Sequence, residues 1–157
     1  MQDYIMRIIE QFVQAIVSIM RRRKSGEYQE ARKEAQGALR YFLKMNTDLL
    51  FVYDSKQVLE FLRDFSGHIE TEKCVLTADL LYELALVEEA EKNLQLAVHL
   101  KKIALHLYVV GIPDQPRFQV ANYFLKIRLL IEDLNNESIS DDVITSLRQY
   151  KNRFAKS

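Results

Sequence analysis

Five residues along one stretch constrain this chain more than any other feature. Gly26 closes one apolar-periodic segment, Tyr28 follows two residues later, and Ala31, Ala35 and Ala38 leave a shallow face on the next segment. Glycine takes up the left-handed backbone that stops a helix without steric cost. Small side chains at four- and seven-residue spacing let a neighbouring helix approach to the low end of the roughly 8–10 Å range of axial separations. The stretch therefore reads as a turn between two helices with their packing seam, and it predicts a chain built from helical hairpins.

Composition agrees. With 48% apolar residues but only 4 Gly and 2 Pro in 157 residues, helices are favoured over sheet or disorder, and one all-α domain over residues 1–157 is expected. Lys plus Arg number 22 and Asp plus Glu number 22, so no global field draws in nucleic acid, anionic lipid or an acidic substrate, and a charged partner must be met by a local patch. Cys74 stands alone, which excludes an intramolecular disulfide and a thiolate cluster for zinc and fits a reducing cytoplasm. The apolar run at residues 12–20 is broken by Gln14 and preceded by Glu10, well short of the roughly 20 apolar residues that a membrane crossing needs. Its basic residues follow it, the reverse of a secretory signal, so neither export nor a membrane span is expected.

Apolar periodicity predicts about seven helices. The first runs from Asp3, placed as its N-cap, to Lys24, and carries two apolar sets: Ile5, Ile8, Ile9, Phe12, Ile16, Ile19 and Met20, then Met6, Val13 and Val17. So wide an arc implies cover on two sides. The second helix spans about Glu27 to Met45. Leu49 to Tyr53, five apolar residues in a row, reads as a buried turn or short helix. A third helix, capped by Ser55, reaches Phe65; a fourth runs from Glu70 or Thr71 to Glu91; a fifth, antiparallel to it, from Leu94 to Val110. Gly111 to Pro116 punctuates the chain, because the residue before a proline is pushed out of helical geometry. A sixth helix is expected over about 116–134, and a last one, capped by Ser140, through about Phe154.

Gly26, Tyr28, Ala31 and Ala38 stand at the spacings that open the second helix of a tetratricopeptide unit, a helix pair of 34 residues. Leu81, Leu84 and Ala85, with Leu94, Ala97 and Ala104, make a weaker second copy that lacks the glycine, and Ala31 and Ala97 lie 66 residues apart, close to two repeat lengths. On these residues the chain resembles a divergent tetratricopeptide-like protein. Its opening Asp3-Tyr4-Ile5-Met6-Arg7-Ile8-Ile9-Glu10-Gln11, followed by the Gly26 turn, is similar to an uncharacterised family of small bacterial helical proteins of that type. The resemblance covers most of residues 3–110 and implies antiparallel helix pairs stacked as a short superhelix that acts as a protein-binding or scaffolding surface. It carries over no catalytic residue.

Candidate chemistry is sparse. His99 and His106 are seven residues apart, too far along one helix to hold one ion, and read as ordinary surface or groove histidines; His68 reads as a loop residue. Cys74 reads as a buried packing residue rather than a nucleophile, since Lys73 beside it in sequence does not face it on a helix. Glu88, Glu89 and Glu91 read most simply as a solvated helix end. There is no Gly-rich phosphate loop, no nucleophile elbow and no paired-carboxylate signature, so no enzyme activity, cofactor or metal is expected.

Two surfaces remain. If the stacked geometry holds, Asp79, Tyr82 and Glu89 point to a groove that suits a basic or amphipathic peptide, Tyr82 serving equally well as half-buried packing. The cluster Arg21, Arg22, Arg23 and Lys24 could instead touch phosphate of nucleic acid or lipid, as a peripheral regulator would. Its simpler role is to complement the negative end of the first helix. The expectation is a non-enzymatic cytoplasmic module whose partner is a protein or peptide, with dimerisation through the wide apolar arc of the first helix. The zero net charge and the lack of interleaved aromatics argue against nucleic acid, and the missing span against a membrane.

Overall fold

The computed structural model describes residues 2–112 and 121–154, and every regular element among them is helical. The helices are α1 (Gln2–Lys24), α2 (Tyr28–Leu43), α3 (Ser55–Glu60), α4 (Thr71–Ala90), α5 (Leu94–Gly111), α6 (Ala121–Asp133) and α7 (Asp141–Phe154), with a 3-10 turn at Thr47–Leu49. Pro113, Pro116 and the expected opening of the sixth helix lie outside the described residues.

Two hairpins, α1–α2 and α4–α5, form the frame. At the first turn Gly26 has φ 80°; its N–H donates to the Arg23 carbonyl (3.0 Å) and the Glu27 N–H to that of Arg22 (2.9 Å). These two bonds occupy helix-end carbonyls that would otherwise lack partners. Lys92 does the same between α4 and α5, with φ 69°, its N–H on Glu89 (3.1 Å) and the Asn93 N–H on Glu88 (2.8 Å). Beyond each turn Ala31, Ala35 and Ala38 on α2, and Ala97 and Ala104 on α5, are buried. Their size admits close neighbours.

The second hairpin lies at the centre. α4 packs against α5, α2 and α1, and α5 packs in turn against α6, α7 and α3. A helix enclosed this way has no solvent face to keep polar. Accordingly α4 buries residues all round its circumference, from Cys74, Val75 and Leu76 through Leu80, Leu81 and Leu84 to Val87. Phe12 stacks on Phe42 with ring centroids 4.3 Å apart, joining α1 to α2.

Local chemistry moves several boundaries. α1 begins at Gln2, so Asp3 is not its cap but lies in its first turn. α3 is capped by Asp54 rather than Ser55: the Asp54 carboxylate accepts from the Gln57 N–H (2.8 Å), and Gln57 Oε1 accepts in return from the Asp54 N–H (2.9 Å). That reciprocal pair needs a Gln or Glu three residues after the cap, which Asp54 has and Ser55 lacks. α3 stops at Glu60 instead of Phe65, because the Asp64 side chain offers the backbone a competing arrangement: Oδ1 accepts from the N–H groups of Ser66 (2.9 Å) and His68 (3.1 Å), and a tight turn follows. Leu49–Tyr53 is a turn, yet of its residues only Leu50 is buried, while Leu49, Phe51 and Val52 are exposed. The arc of α1 is covered on one side only, with Met6, Val13 and Val17 facing outward.

Candidate functional site

Asp79, on α4, does not line an open groove. It is only 7% exposed, and it accepts hydrogen bonds from the Tyr108 hydroxyl and from Lys126 Nζ (2.7 Å) on α6. Lys126 lies 5.7 Å from the ring centroid of Tyr123 and 6.0 Å from that of Tyr108, so the ammonium is held by a carboxylate and two aromatic faces. Burial first, then the Asp79 carboxylate, pushes the Tyr108 hydroxyl well above its ordinary range and that of Tyr123 up to about 12. Both phenols therefore stay protonated and act as packing and donor groups. The arrangement fastens α6 over the second hairpin.

Tyr82 is half-buried, its hydroxyl pushed upward mainly by burial and then by the Asp133 charge. Glu89 accepts from Lys101 Nζ (2.6 Å), which also donates to Asp133 (3.2 Å), so one lysine on α5 ties α4 to α6. Burial opposes the Lys101 charge, but the two carboxylates outweigh it and raise its pKa. Asp79 thus sits buried beneath α6 while Glu89 belongs to the Lys101 clasp, and of the three Tyr82 is half-buried and Glu89 exposed.

The basic cluster is half occupied by the chain's own acids. Arg22 Nε donates to Glu34 (2.9 Å), and Arg23 Nε to the buried Glu83 (2.6 Å). Arg21 and Lys24 remain exposed without an ion pair among the described residues. In the acidic run at the end of α4, Glu89 and Glu91 are exposed as a solvated end would have them, but Glu88 is not. Glu88 is 3% exposed and accepts from Arg32 Nε on α2 (2.5 Å) and from Asn93 Nδ2 (2.7 Å), while Glu91 pairs with the same arginine (2.6 Å). These bonds raise the Arg32 pKa, the one to Glu88 foremost.

His106 is buried rather than at the surface. Its Nδ1 shares a hydrogen bond with Ser55 Oγ (2.5 Å) and its Nε2 one with Ser146 Oγ (3.2 Å), which joins α3, α5 and α7. Burial holds its pKa below the ordinary value. His99 Nε2 meets the Leu50 carbonyl (3.0 Å) beneath the Phe51 ring. Cys74 is buried, its Sγ 3.2 Å from the Leu107 carbonyl, and burial pushes the thiol up to about 12, too high for a thiolate nucleophile. Among the described residues no group of three or more His, Cys, Asp or Glu is placed to hold a metal ion.

The cavity of most consequence is a cleft of about 570 Å³ between the N-terminal half of α1 and the start of α4. Among the described residues Ile8, Ile9, Phe12 and Leu76 give it apolar walls, and Asp64, Glu70, Glu72 and Lys73 bring charged groups to it. Lys73 stands 3.9 Å from Glu70. The turn at residues 64–68 borders this cleft through Asp64, whose carboxyl is held below its usual range first by the hydrogen bond from the Ser66 hydroxyl (2.5 Å). Gly67, with φ 89°, completes the turn, and Phe65 at its tip is wholly exposed. Arg63 Nη1 donates to the Gly67 carbonyl (2.8 Å), bracing the turn from the other side.

Sequence reasoning passed over Asp64, Glu70 and Glu72 because they meet α1 only through tertiary structure. The available signal was the apolar pair Ile8 and Ile9, more than one helix neighbour needs to cover. Comparison of the chain with protein-family models, with curated proteins and with solved structures gives no match.

Proposed function

We propose that the protein is a non-enzymatic interaction module that takes a basic, amphipathic peptide segment of a partner protein into the cleft between α1 and α4. The observation that carries this reading is the pairing of apolar walls with the carboxylates of Asp64 and Glu70 in one cleft. An amphipathic segment lays apolar side chains on Ile8, Ile9, Phe12 and Leu76 while its cations meet Asp64 and Glu70. Phe65, exposed on a turn braced by Asp64 and Arg63, supplies an aromatic contact at the border of the cleft, preorganised and so cheap in ordering entropy.

The scaffold belongs to the same proposal: hairpins stacked in the tetratricopeptide manner. The matching turns at Gly26 and Lys92 support it, as does the packing of α4 against both helices of the first hairpin. Cytoplasmic placement is also part of it and rests on the lone, buried Cys74. Among the described residues no helix is long and apolar enough to cross a membrane. A phosphate contact through the basic cluster draws less support, since Arg22 and Arg23 are engaged by Glu34 and Glu83.

Fluorescence anisotropy with a labelled leucine–lysine amphipathic peptide tests the reading. Binding is expected to weaken at least tenfold in Glu70→Lys/Glu72→Lys and in Leu76→Asp, and to be unchanged in Arg21→Glu/Lys24→Glu. Equal affinity of all three variants and the wild type would remove the cleft as the site.

A further inference from the structure

The outward side of α1 carries a second feature that the cleft does not use. Met6, Val13 and Val17 are 53%, 43% and 46% exposed, and Met20, half-buried, continues the row. Spacings of seven, four and three residues place them in one stripe along the helix, the pattern by which helices pair. Among the described residues α1 packs mainly on α2 and α4, and it buries Phe12, Ile16 and Ile19 rather than this stripe.

The charges that flank the stripe say what covers it. Asp3 and Glu10 are exposed in its N-terminal half; Arg21 and Lys24 are exposed in its C-terminal half and without an ion pair among the described residues. Arg7 lies about a quarter-turn or more further round the helix, away from the stripe. An antiparallel copy of the same helix brings the acidic end of one stripe to the basic end of the other, Asp3 against Arg21 and Lys24, while Met6 meets Met20 and Val13 meets Val13. A parallel copy sets like charges side by side, which opposes pairing. Self-complementarity of this kind is what an isologous two-fold contact requires.

We propose that α1 is a homodimerisation helix, its outer stripe packing antiparallel on that of a second copy of this chain about a two-fold axis near Val13. The cleft opens on the other flank of α1, through Tyr4 and Ile8, so the two surfaces coexist in one assembly.

Sedimentation equilibrium on the wild-type chain is expected to show a concentration-dependent dimer, and Val13→Asp/Val17→Asp to give monomer only, with helical circular dichroism unchanged because both side chains are already exposed. Orientation is read by oxidation in a Cys74→Ala background. Val13→Cys cross-links with itself, and chains carrying Met6→Cys cross-link with chains carrying Met20→Cys but not with one another. Monomer at every concentration, a dimer untouched by the aspartates, or self-cross-linking of Met6→Cys would each overturn the proposal.

Discussion

Lys92 stands in the backbone position that Gly26 holds, 66 residues further along the chain. Their φ angles are 69° and 80°, and the residues after them, Asn93 and Glu27, share φ and ψ of −85° and 67° against −84° and 65°. Each N–H bond of the first turn has its counterpart in the second, so the two hairpins close by the same device. A lysine in left-handed geometry carries a Cβ clash of roughly 1–2 kcal/mol that glycine avoids. Lys92→Gly is therefore expected to raise stability by about 1 kcal/mol, part of the gain being offset by the freer unfolded chain. Beyond its chain neighbours nothing lies within 4 Å of a Cβ built on Gly26, so Gly26→Ala should lose about 1 kcal/mol through backbone strain alone. Urea denaturation midpoints read both; a Lys92→Gly chain no more stable than wild type would contradict the strain argument.

Gly111 answers to space instead of backbone angle. A Cβ there would lie 2.9 Å from Val75 Cγ2 and 3.1 Å from both Cβ and Sγ of Cys74, where the end of α5 crosses the start of α4. Overpacking of this kind costs about 1–3 kcal/mol, and Gly111→Ala should lose that much. Because Val75 Cγ2 is the nearest atom, adding Val75→Ala should recover part of it, so the double variant loses less than the two single losses together. Strict additivity in urea unfolding would show that the contact relaxes freely.

What the sequence makes legible here is what neighbouring residues decide among themselves. Periodicity sets out the seven helices seen among the described residues, their ends displaced by a residue or two except at the end of α3 and at the opening of α6, which lies outside those residues, and the Ala31–Ala38 face is buried as its spacing implies. Even the Asp54 cap was readable, since Gln57 three residues later marks it. The site was not. Asp79 meets Lys126 across 47 positions, Arg32 meets Glu88 across 56, and His106 meets Ser55 across 51. Nothing local distinguishes those acids from solvated ones, so Glu88 and Asp79 read as surface groups until the helices that cover them are placed.

The Arg32 pairing gives that point a magnitude. Removing the guanidinium leaves the Glu88 carboxylate buried with the Asn93 amide as its remaining donor. Losing a charged hydrogen bond and stranding its partner costs about 2–3 kcal/mol, which is the destabilisation expected of Arg32→Ala. Glu91→Ala, whose carboxylate is better exposed, should cost under about 1 kcal/mol. Arg32→Ala combined with Glu88→Leu should return part of the loss, because the stranded charge is gone. Equal losses from Arg32→Ala and Glu91→Ala in thermal unfolding would show that the Glu88 bond contributes nothing beyond a surface pair.

His106 sets a pH dependence whose sign follows from its surroundings. Burial is the leading influence and disfavours the imidazolium; the carboxylates of Asp142 and Asp54 favour it, Lys56 opposes it, and the balance leaves the pKa below its ordinary value near 6.5. Below about pH 6.5 the unfolded chain therefore takes up a proton that the folded chain resists, and unfolding gains. Stability contributed by the neutral ring is complete above that pH and falls as the pH drops, by at most about 1.4 kcal/mol per unit. Between pH 7.5 and 5.5 the wild-type chain should lose stability, and His106→Gln, less stable at neutral pH for want of the full bridge from Ser55 to Ser146, should lose less of what it has. His68 and His99 are common to both chains, so the difference between the two isolates His106. Parallel stability-against-pH lines for the two chains would mean that His106 keeps its proton balance unchanged on folding.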